Sequence, residues 1–392
     1  MEKEKWIYLD NNATTMTDPE VFNLMAPYFT QWYANPASMH SFGDYVEKEI
    51  ALAREKTAAL LHTEPSQIIF TSGATESNTT VFHSLTELFP EKKHIITTTV
   101  EHPAVLNNCK YLEKNKGYEV TYLSVNIDGE LDLEELRSAI RKDTLLISIM
   151  WANNETGILF PIDKLTEIAH EKGVFFHTDA VQAIGKIPVD VEKTPVDFLS
   201  LSAHKFHGPK GVGALYLRKE TPFHPLLTGG HQEGGRRAGT LNSPGIIGLG
   251  EACRLSTEHM QKGTYQKLGQ LRDDFEQQIG RQIPHISIHG KKTPRLPNTS
   301  NIGFKYIEGE SITIFLSENR ISVSTGSACT SESLEPSHVL TKMGLPHEVL
   351  HGSIRFSLSR FTTREELNKT ADILPSVITT LRNLSPLSPP DE

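Results

Sequence analysis

A chain of 392 residues with 38% hydrophobic and 22% charged residues is long enough for two globular domains. Its formal net charge of −9 argues against a general nucleic-acid binder, which needs a basic excess to neutralise phosphates. No apolar run reaches membrane-spanning length, and Met1–Asp10 has neither the apolar core nor the cleavage site of a signal peptide, so no membrane contact and a cytoplasmic location are expected.

In chain order, 44–62 carries Val46, Ile50, Ala53 and Leu60 at helical spacing. Ile68-Ile-Phe-Thr is a short apolar run that ends in the glycine turn Ser72-Gly73-Ala74-Thr75. His94–Val100 is β-branched and ends at Glu101-His102-Pro103. Leu145–Trp151 ends at Ala152–Gly157, and Val174–Thr178 ends at Asp179. Phe198–Ser202 reads as the end of a strand, Gly208–Gly213 as a turn and Gly213–Leu217 as a strand again. Near-continuous apolar strands separated by helices indicate an α/β fold with a mainly parallel sheet covered on both faces. In such sheets the ligand lies beyond the carboxyl ends of the strands, where every polar cluster just named falls. After Gly250 the pattern changes. A long charged amphipathic stretch, 251–283, precedes a strand at 299–304, a helix at 309–318, a strand at 321–323, a half-buried strand within 351–359 and a closing helix at 364–384. These form a smaller α+β domain, followed by a loose tail from Ser385.

Four groups at the strand ends carry chemistry. Lys205, in Ser202-Ala-His-Lys205, follows a buried strand; desolvation favours a neutral amine able to attack a carbonyl, although most lysines simply lie on the surface. Free N–H groups at Ser72–Thr75 suit an anion, although taken alone the motif reads as an ordinary strand–helix turn with a capping threonine. Asp179, three residues before Gln182, is either a helix N-cap or the partner of a buried cation. His102 is a flat imidazole that can cover a planar ring and move protons, or one structural histidine among 17. Taken together, an amine for an aldehyde, donors for a phosphate, an acid for a ring nitrogen and an imidazole for a ring face are what pyridoxal phosphate requires. Of three cysteines, Cys109 and Cys253 sit in helical apolar settings and read as core. Cys329 sits in Ser324-Thr-Gly-Ser-Ala-Cys-Thr-Ser-Glu-Ser333, where small polar residues leave the thiol exposed in a mobile loop and able to act as a nucleophile.

These residues bring the chain close to a known family. It resembles the cysteine desulfurases of the NifS/IscS type, within the class V aminotransferase group of pyridoxal-phosphate enzymes. The likeness runs from Tyr8 to Leu387, and its most specific stretches are Asn35–His40, Phe70–Ser77, Thr99–Val105, Asn153–Gly157, Ser202–Gly211, Arg236–Thr240, Ser324–Ser331 and Ser353–Ser357. The resemblance implies a fold-type I architecture. A large cofactor domain over 15–260 would hold a seven-stranded sheet, and a small domain over 1–14 and 261–392 would carry the cysteine loop at about 324–337. It implies that Lys205 holds the cofactor as an imine, that Ala74, Thr75, Ser202 and His204 bind its phosphate, and that Thr240 reaches the phosphate of the neighbouring subunit of a homodimer. Asp179 would pair with the ring nitrogen, Gln182 with the ring hydroxyl, and His102 would stack on the ring. Asn154 and Arg355 would hold the substrate, L-cysteine. Lys205 would remove its α-proton and the Cys329 thiolate would attack its sulfur, giving alanine and a persulfide. That persulfide would pass to an iron–sulfur scaffold or another acceptor, with Cys329 as a transient cluster ligand shared with the scaffold. An aminotransferase or a selenocysteine lyase of the same fold is the rival expectation.

Overall fold

A computed structural model of the chain describes residues 5–325 and 336–386. In chain order its strands are β1 (Ile7–Tyr8), β2 (Ile68–Thr71), β3 (His94–Thr98), β4 (Glu119–Leu123), β5 (Thr144–Ser148), β6 (Phe175–Asp179), β7 (Phe198–Ser202), β8 (Gly213–Leu217), β9 (Ile286–Ile288), β10 (Thr299–Phe304), β11 (Ile321–Ser322) and β12 (Ser353–Ser357).

Seven of these form one sheet in the order β2-β8-β7-β6-β5-β3-β4. All neighbours are parallel except around β8, which runs against both β2 and β7. Strands β2, β3, β5, β7 and β8 are buried along their whole length, as expected of strands covered by helices on both faces. The edge strand β4 was not legible in the sequence. It is as long as its neighbours, but only Leu123 is fully buried, so it lacks the continuous apolar run that marks them.

The reversal at β8 builds the site. Gly213 pairs with Thr71 on one side and Ser202 on the other, which sets the turn after β2 beside the end of β7. A Cβ at position 213 would lie 2.5 Å from the Leu201 carbonyl oxygen and 2.8 Å from Gly73 Cα, so only glycine allows this approach.

The stretch 251–283 is two helices, Ser243–Gln261 and Thr264–Gln282, with the break at Gly263 in a left-handed conformation. A second apolar cluster joins Ile7 and Leu9 to the faces of Thr264–Gln282, Gly309–Glu318 and Arg364–Leu384 around β9, β10 and β12. It is separate from the cluster under the large sheet, and Met260 packs against both. The alternation in 351–359 predicts a half-buried strand, yet all of β12 is buried. Its polar side is covered by the N-terminal segment: Asn11 and Asn12 hydrogen-bond Ser357, and Asp10 pairs with Arg355. Cys109 and Cys253 are buried, as their apolar settings suggest.

Candidate active site

The ends of β2, β3, β5, β6 and β7 surround one cavity of about 570 Å³. Its lining includes Ala74, Thr75, His102, Asn154, Asp179, Gln182, Ser202, His204, Lys205 and Arg355. Thr240 is exposed and is not part of that lining. Cys329, with most of its loop, lies outside the described residues.

Lys205 sits in a short 3-10 turn directly after β7, which aims it back over the sheet end. Its Nζ donates to the Asn12 carbonyl at 2.8 Å and the Ala13 carbonyl at 2.9 Å. The segment Asn12–Thr15 thus crosses over the site, held also by Thr15, whose N–H and hydroxyl both donate to the His204 carbonyl. His204 Nδ1 lies 3.1 Å from Thr14 Oγ1, and burial together with the Lys205, Lys210 and Lys186 charges pushes its imidazole down to about 4. It is therefore neutral at physiological pH.

The helix Ala74–Leu88 begins at the turn after β2 with Gly73 as its N-cap. The first-turn N–H groups of such a helix have no intrahelical acceptor and carry the positive end of the macrodipole. They open onto the cavity opposite Ser202 and His204. Thr75 is not a cap, since no side chain caps this helix. Glu76 does not compete for an anion here. Its carboxylate accepts the Ser72 N–H at 2.8 Å and both arms of Arg237 at 2.9 and 3.2 Å, which holds it below the usual carboxylate range against the effect of burial.

Asp179 ends β6; no helix follows it, so it is not a helix N-cap, and its two hydrogen-bond donors are a backbone N–H and an amide. Its Oδ1 accepts the Val181 N–H at 3.1 Å, a turn bond, while Oδ2 accepts from Asn78 Nδ2 at 2.8 Å inside the cavity wall. Asn78 is buried, and its own Oδ1 has no partner among the described residues. His102 caps the helix Pro103–Lys116 through Nδ1, which accepts the Ala104 N–H at 3.1 Å and leaves Nε2 to carry the proton. Burial is the largest influence holding His102 below the usual histidine range; Asp179 opposes it, and Lys205 and His338 reinforce it.

Arg355 on β12 is fixed between two acceptors, Asp10 Oδ1 at 2.7 Å and the Asn154 carbonyl at 3.1 Å. Its Nε is buried without a partner among the described residues. A planar cation so placed suits a carboxylate. The turn that carries Asn154 depends on Gly157, at φ +77°, where a Cβ would lie 2.8 Å from Thr299 Cβ.

Most of the residues singled out from the sequence lie in this lining, but that reading assigned no role to Asn12 or Asn78, which also line it, or to Lys186 behind it. Asn12 lay in the stretch Tyr8–Thr15 that carried the resemblance; Asn78 and Lys186 had no comparable signal, because an amide inside a helix and a lysine beside a glycine are ordinary in sequence.

The fold and the cavity lead to one class of protein: the aminotransferase class-V family model matches residues 7–369, and the chain belongs to that family. Members of the family use pyridoxal phosphate. A protein named cysteine desulfurase from Trichormus azollae is 54% identical over 380 residues, 97% of this chain and 94% of that protein. A solved NifS-like protein superposes with a TM-score of 0.90 at 39% identity, covering 96% of this chain and all of that one. A structure described as SspA in complex with cysteine superposes with a TM-score of 0.80 at 36% identity, covering 91% of this chain and all of that one. The residues present fit the cofactor. The cavity offers an amine, a helix N-terminus with a hydroxyl beside it, and a buried carboxylate in separate places, and the unpartnered Asn78 Oδ1 and Arg355 Nε leave polar capacity at its wall.

Proposed function

We infer that this chain is a pyridoxal-phosphate-dependent cysteine desulfurase, taking sulfur from L-cysteine and leaving L-alanine. The observation that carries this reading is the convergence of Lys205, Asp179, His102 and Arg355 on one cavity, in a chain about half identical to proteins of that name. Bound pyridoxal phosphate supplies an electron sink for charge developing at the substrate's α carbon.

The chain's own residues divide the remaining work. Lys205 anchors the cofactor and, once displaced by substrate, takes the proton from the α carbon. Ala74, Thr75, Ser202 and His204 bind the phosphate; neutral His204 serves as a hydrogen-bonding group and adds no charge. Asp179 would hold the proton on the ring nitrogen, and Gln182 would bind the ring hydroxyl. His102 would cover the ring, with its proton on Nε2 because Nδ1 accepts the Ala104 N–H. Arg355, with Asn154 beside it, binds the substrate carboxylate. The Cys329 thiolate then attacks the substrate sulfur: an S–S bond forms, the C–S bond breaks, and its electron pair returns to the carbon skeleton that leaves as alanine.

The persulfide passes from Cys329 to an acceptor, an iron–sulfur scaffold among them, with Cys329 as a transient cluster ligand during transfer. The protein works as a cytoplasmic homodimer in which Thr240 completes the partner's phosphate site. Exposed Phe22, Phe29, Trp32, Tyr33 and Met39, all within residues 22–39, support such an interface. A division into 15–260 and the remainder is supported by the apolar cluster that joins Ile7 and Leu9 to residues from Tyr265 to Leu381, although Leu296, Val339, Leu340, Met343 and Leu350 pack with the cluster under the large sheet. The test is product analysis. Purified holoenzyme given L-cysteine and a reducing thiol should release alanine and sulfide in equal amounts, and an enzyme that releases pyruvate or transfers only amino groups is not a desulfurase.

A further inference from the structure

Asn12 is a hub. It is 1% exposed, and each of its polar groups is engaged. Its N–H donates to Ser357 Oγ at 2.9 Å. Its carbonyl accepts from Lys205 Nζ at 2.8 Å and from Gln182 Nε2 at 2.9 Å. Its Nδ2 donates to Thr299 Oγ1 at 2.9 Å and to the Asn154 carbonyl at 3.1 Å. Its Oδ1 accepts from Asn298 Nδ2 at 3.0 Å and from Lys186 Nζ at 3.3 Å. One residue thus links the cofactor lysine, the Gln182 amide and the turn that carries Arg355's acceptor.

Lys186 is the unusual member. It is 5% exposed, and its second hydrogen bond goes to Gln182 Oε1 at 2.7 Å. Both acceptors are neutral amide oxygens, and no carboxylate is among its hydrogen-bond partners in the described residues. The charges that face it are cationic, Lys205 and Arg355, and with burial as the larger cause they hold its amine well below the usual lysine range. A leucine or methionine would fill this position without the cost of burying an amine. The amine is therefore accounted for by what it holds.

We propose that Lys186 is a positioning residue for the cofactor lysine: by gripping Gln182 and Asn12 together it fixes the carbonyl on which the Lys205 amine rests and the amide that lines the cavity. This rests on the reading of Lys205 as the cofactor anchor. The Asn12 carbonyl accepts from the free Lys205 amine, and held in the same place it would favour the protonated form of the Lys205 nitrogen once the cofactor is joined to it. Lys186→Met keeps the apolar stem and removes both hydrogen bonds, which leaves Gln182 held through its Nε2 alone and takes one of two donors from Asn12 Oδ1. The Lys205 nitrogen then gives up its proton at lower pH.

The experiment is a spectrophotometric pH titration of the cofactor absorbance in purified holoenzyme, with kcat and KM for L-cysteine. Lys186→Met should retain the cofactor, lower the titration midpoint by about half a pH unit or more, and lower kcat about tenfold with KM within about twofold. Lys186→Gln, one bond shorter, should move the midpoint the same way by less, and it decides the matter if the methionine variant is insoluble. An unchanged midpoint and kcat in the soluble variant overturns the proposal. A raised midpoint overturns it too, because it means that Lys186 acts on Lys205 as a charge. Borohydride reduction of the wild-type protein followed by peptide mapping separates the two levels: if the cofactor is not fixed on Lys205, the anchor reading fails first and this proposal falls with it.

Discussion

Asn78→Ala tests how Asp179, the carboxylate proposed for the ring nitrogen, is held. Asp179 accepts two hydrogen bonds, and the one from Asn78 Nδ2, at 2.8 Å, is the shorter. Both residues are buried, so water does not replace the lost donor. A hydrogen bond to a charged group contributes about 1.5–3 kcal/mol, and about 1.4 kcal/mol is tenfold in rate, so removal costs between about 10- and 100-fold if the interaction is needed in the transition state. The assay is alanine formation from L-cysteine at saturating substrate, with the cofactor content read from its absorbance. The expected result is a kcat lower by that factor at nearly unchanged KM, since Asn78 does not border the group that binds the substrate carboxylate. A variant with wild-type kcat and full cofactor content refutes the reasoning, because Asp179 would then keep its position and charge through the Val181 N–H alone.

Two further outcomes follow from the same structure. Arg355→Lys should lower kcat/KM for L-cysteine about 10- to 100-fold, mainly through KM, because an ammonium cannot serve Asp10, the Asn154 carbonyl and a substrate carboxylate together; steady-state kinetics decide it. Stability should fall as pH falls from about 6.5 to 4.5. His177 and His207 are pushed down to about 3, and His204 and His289 to about 4, with burial the largest cause, so each binds a proton in the unfolded chain before it does in the folded one. Their contribution is complete above the unfolded histidine range and is lost on acidification. Glu101, pushed up to about 8 by burial, acts in the opposite sense over the same window. Four protons taken up on unfolding against one released leave a slope of up to about 4 kcal/mol per pH unit. Urea midpoints at several pH values check it, and a midpoint that rises on acidification contradicts it.

The strands that frame the site were legible because each is an apolar run that stops at a polar cluster. Ile68–Thr71 before Ser72-Gly73 and Phe175–Asp179 show this. So was the closing helix, whose Thr363 and Glu366 form a capping box. What the sequence withheld was contact across long separations. Asn12 reaches Lys205, Gln182 and Asn298 through hydrogen bonds that span more than 150 residues. Nothing local in Asp10-Asn-Asn12 announces them. The buried state of β12 was misread for the same reason: its polar alternation looks like a solvent face until the N-terminal segment is laid over it. Lys186 reads as surface in sequence, since a lysine beside a glycine carries no sign of the amides that enclose it.

The most direct test of the desulfurase reading compares wild-type holoenzyme with Cys329→Ala, measuring alanine formed from L-cysteine and persulfide by mass spectrometry of the protein. The account predicts that wild-type protein forms alanine and gains one sulfur on Cys329, while the variant keeps its cofactor absorbance and forms neither alanine nor protein-bound sulfur. Wild-type rates of alanine formation in the Cys329→Ala protein would contradict it.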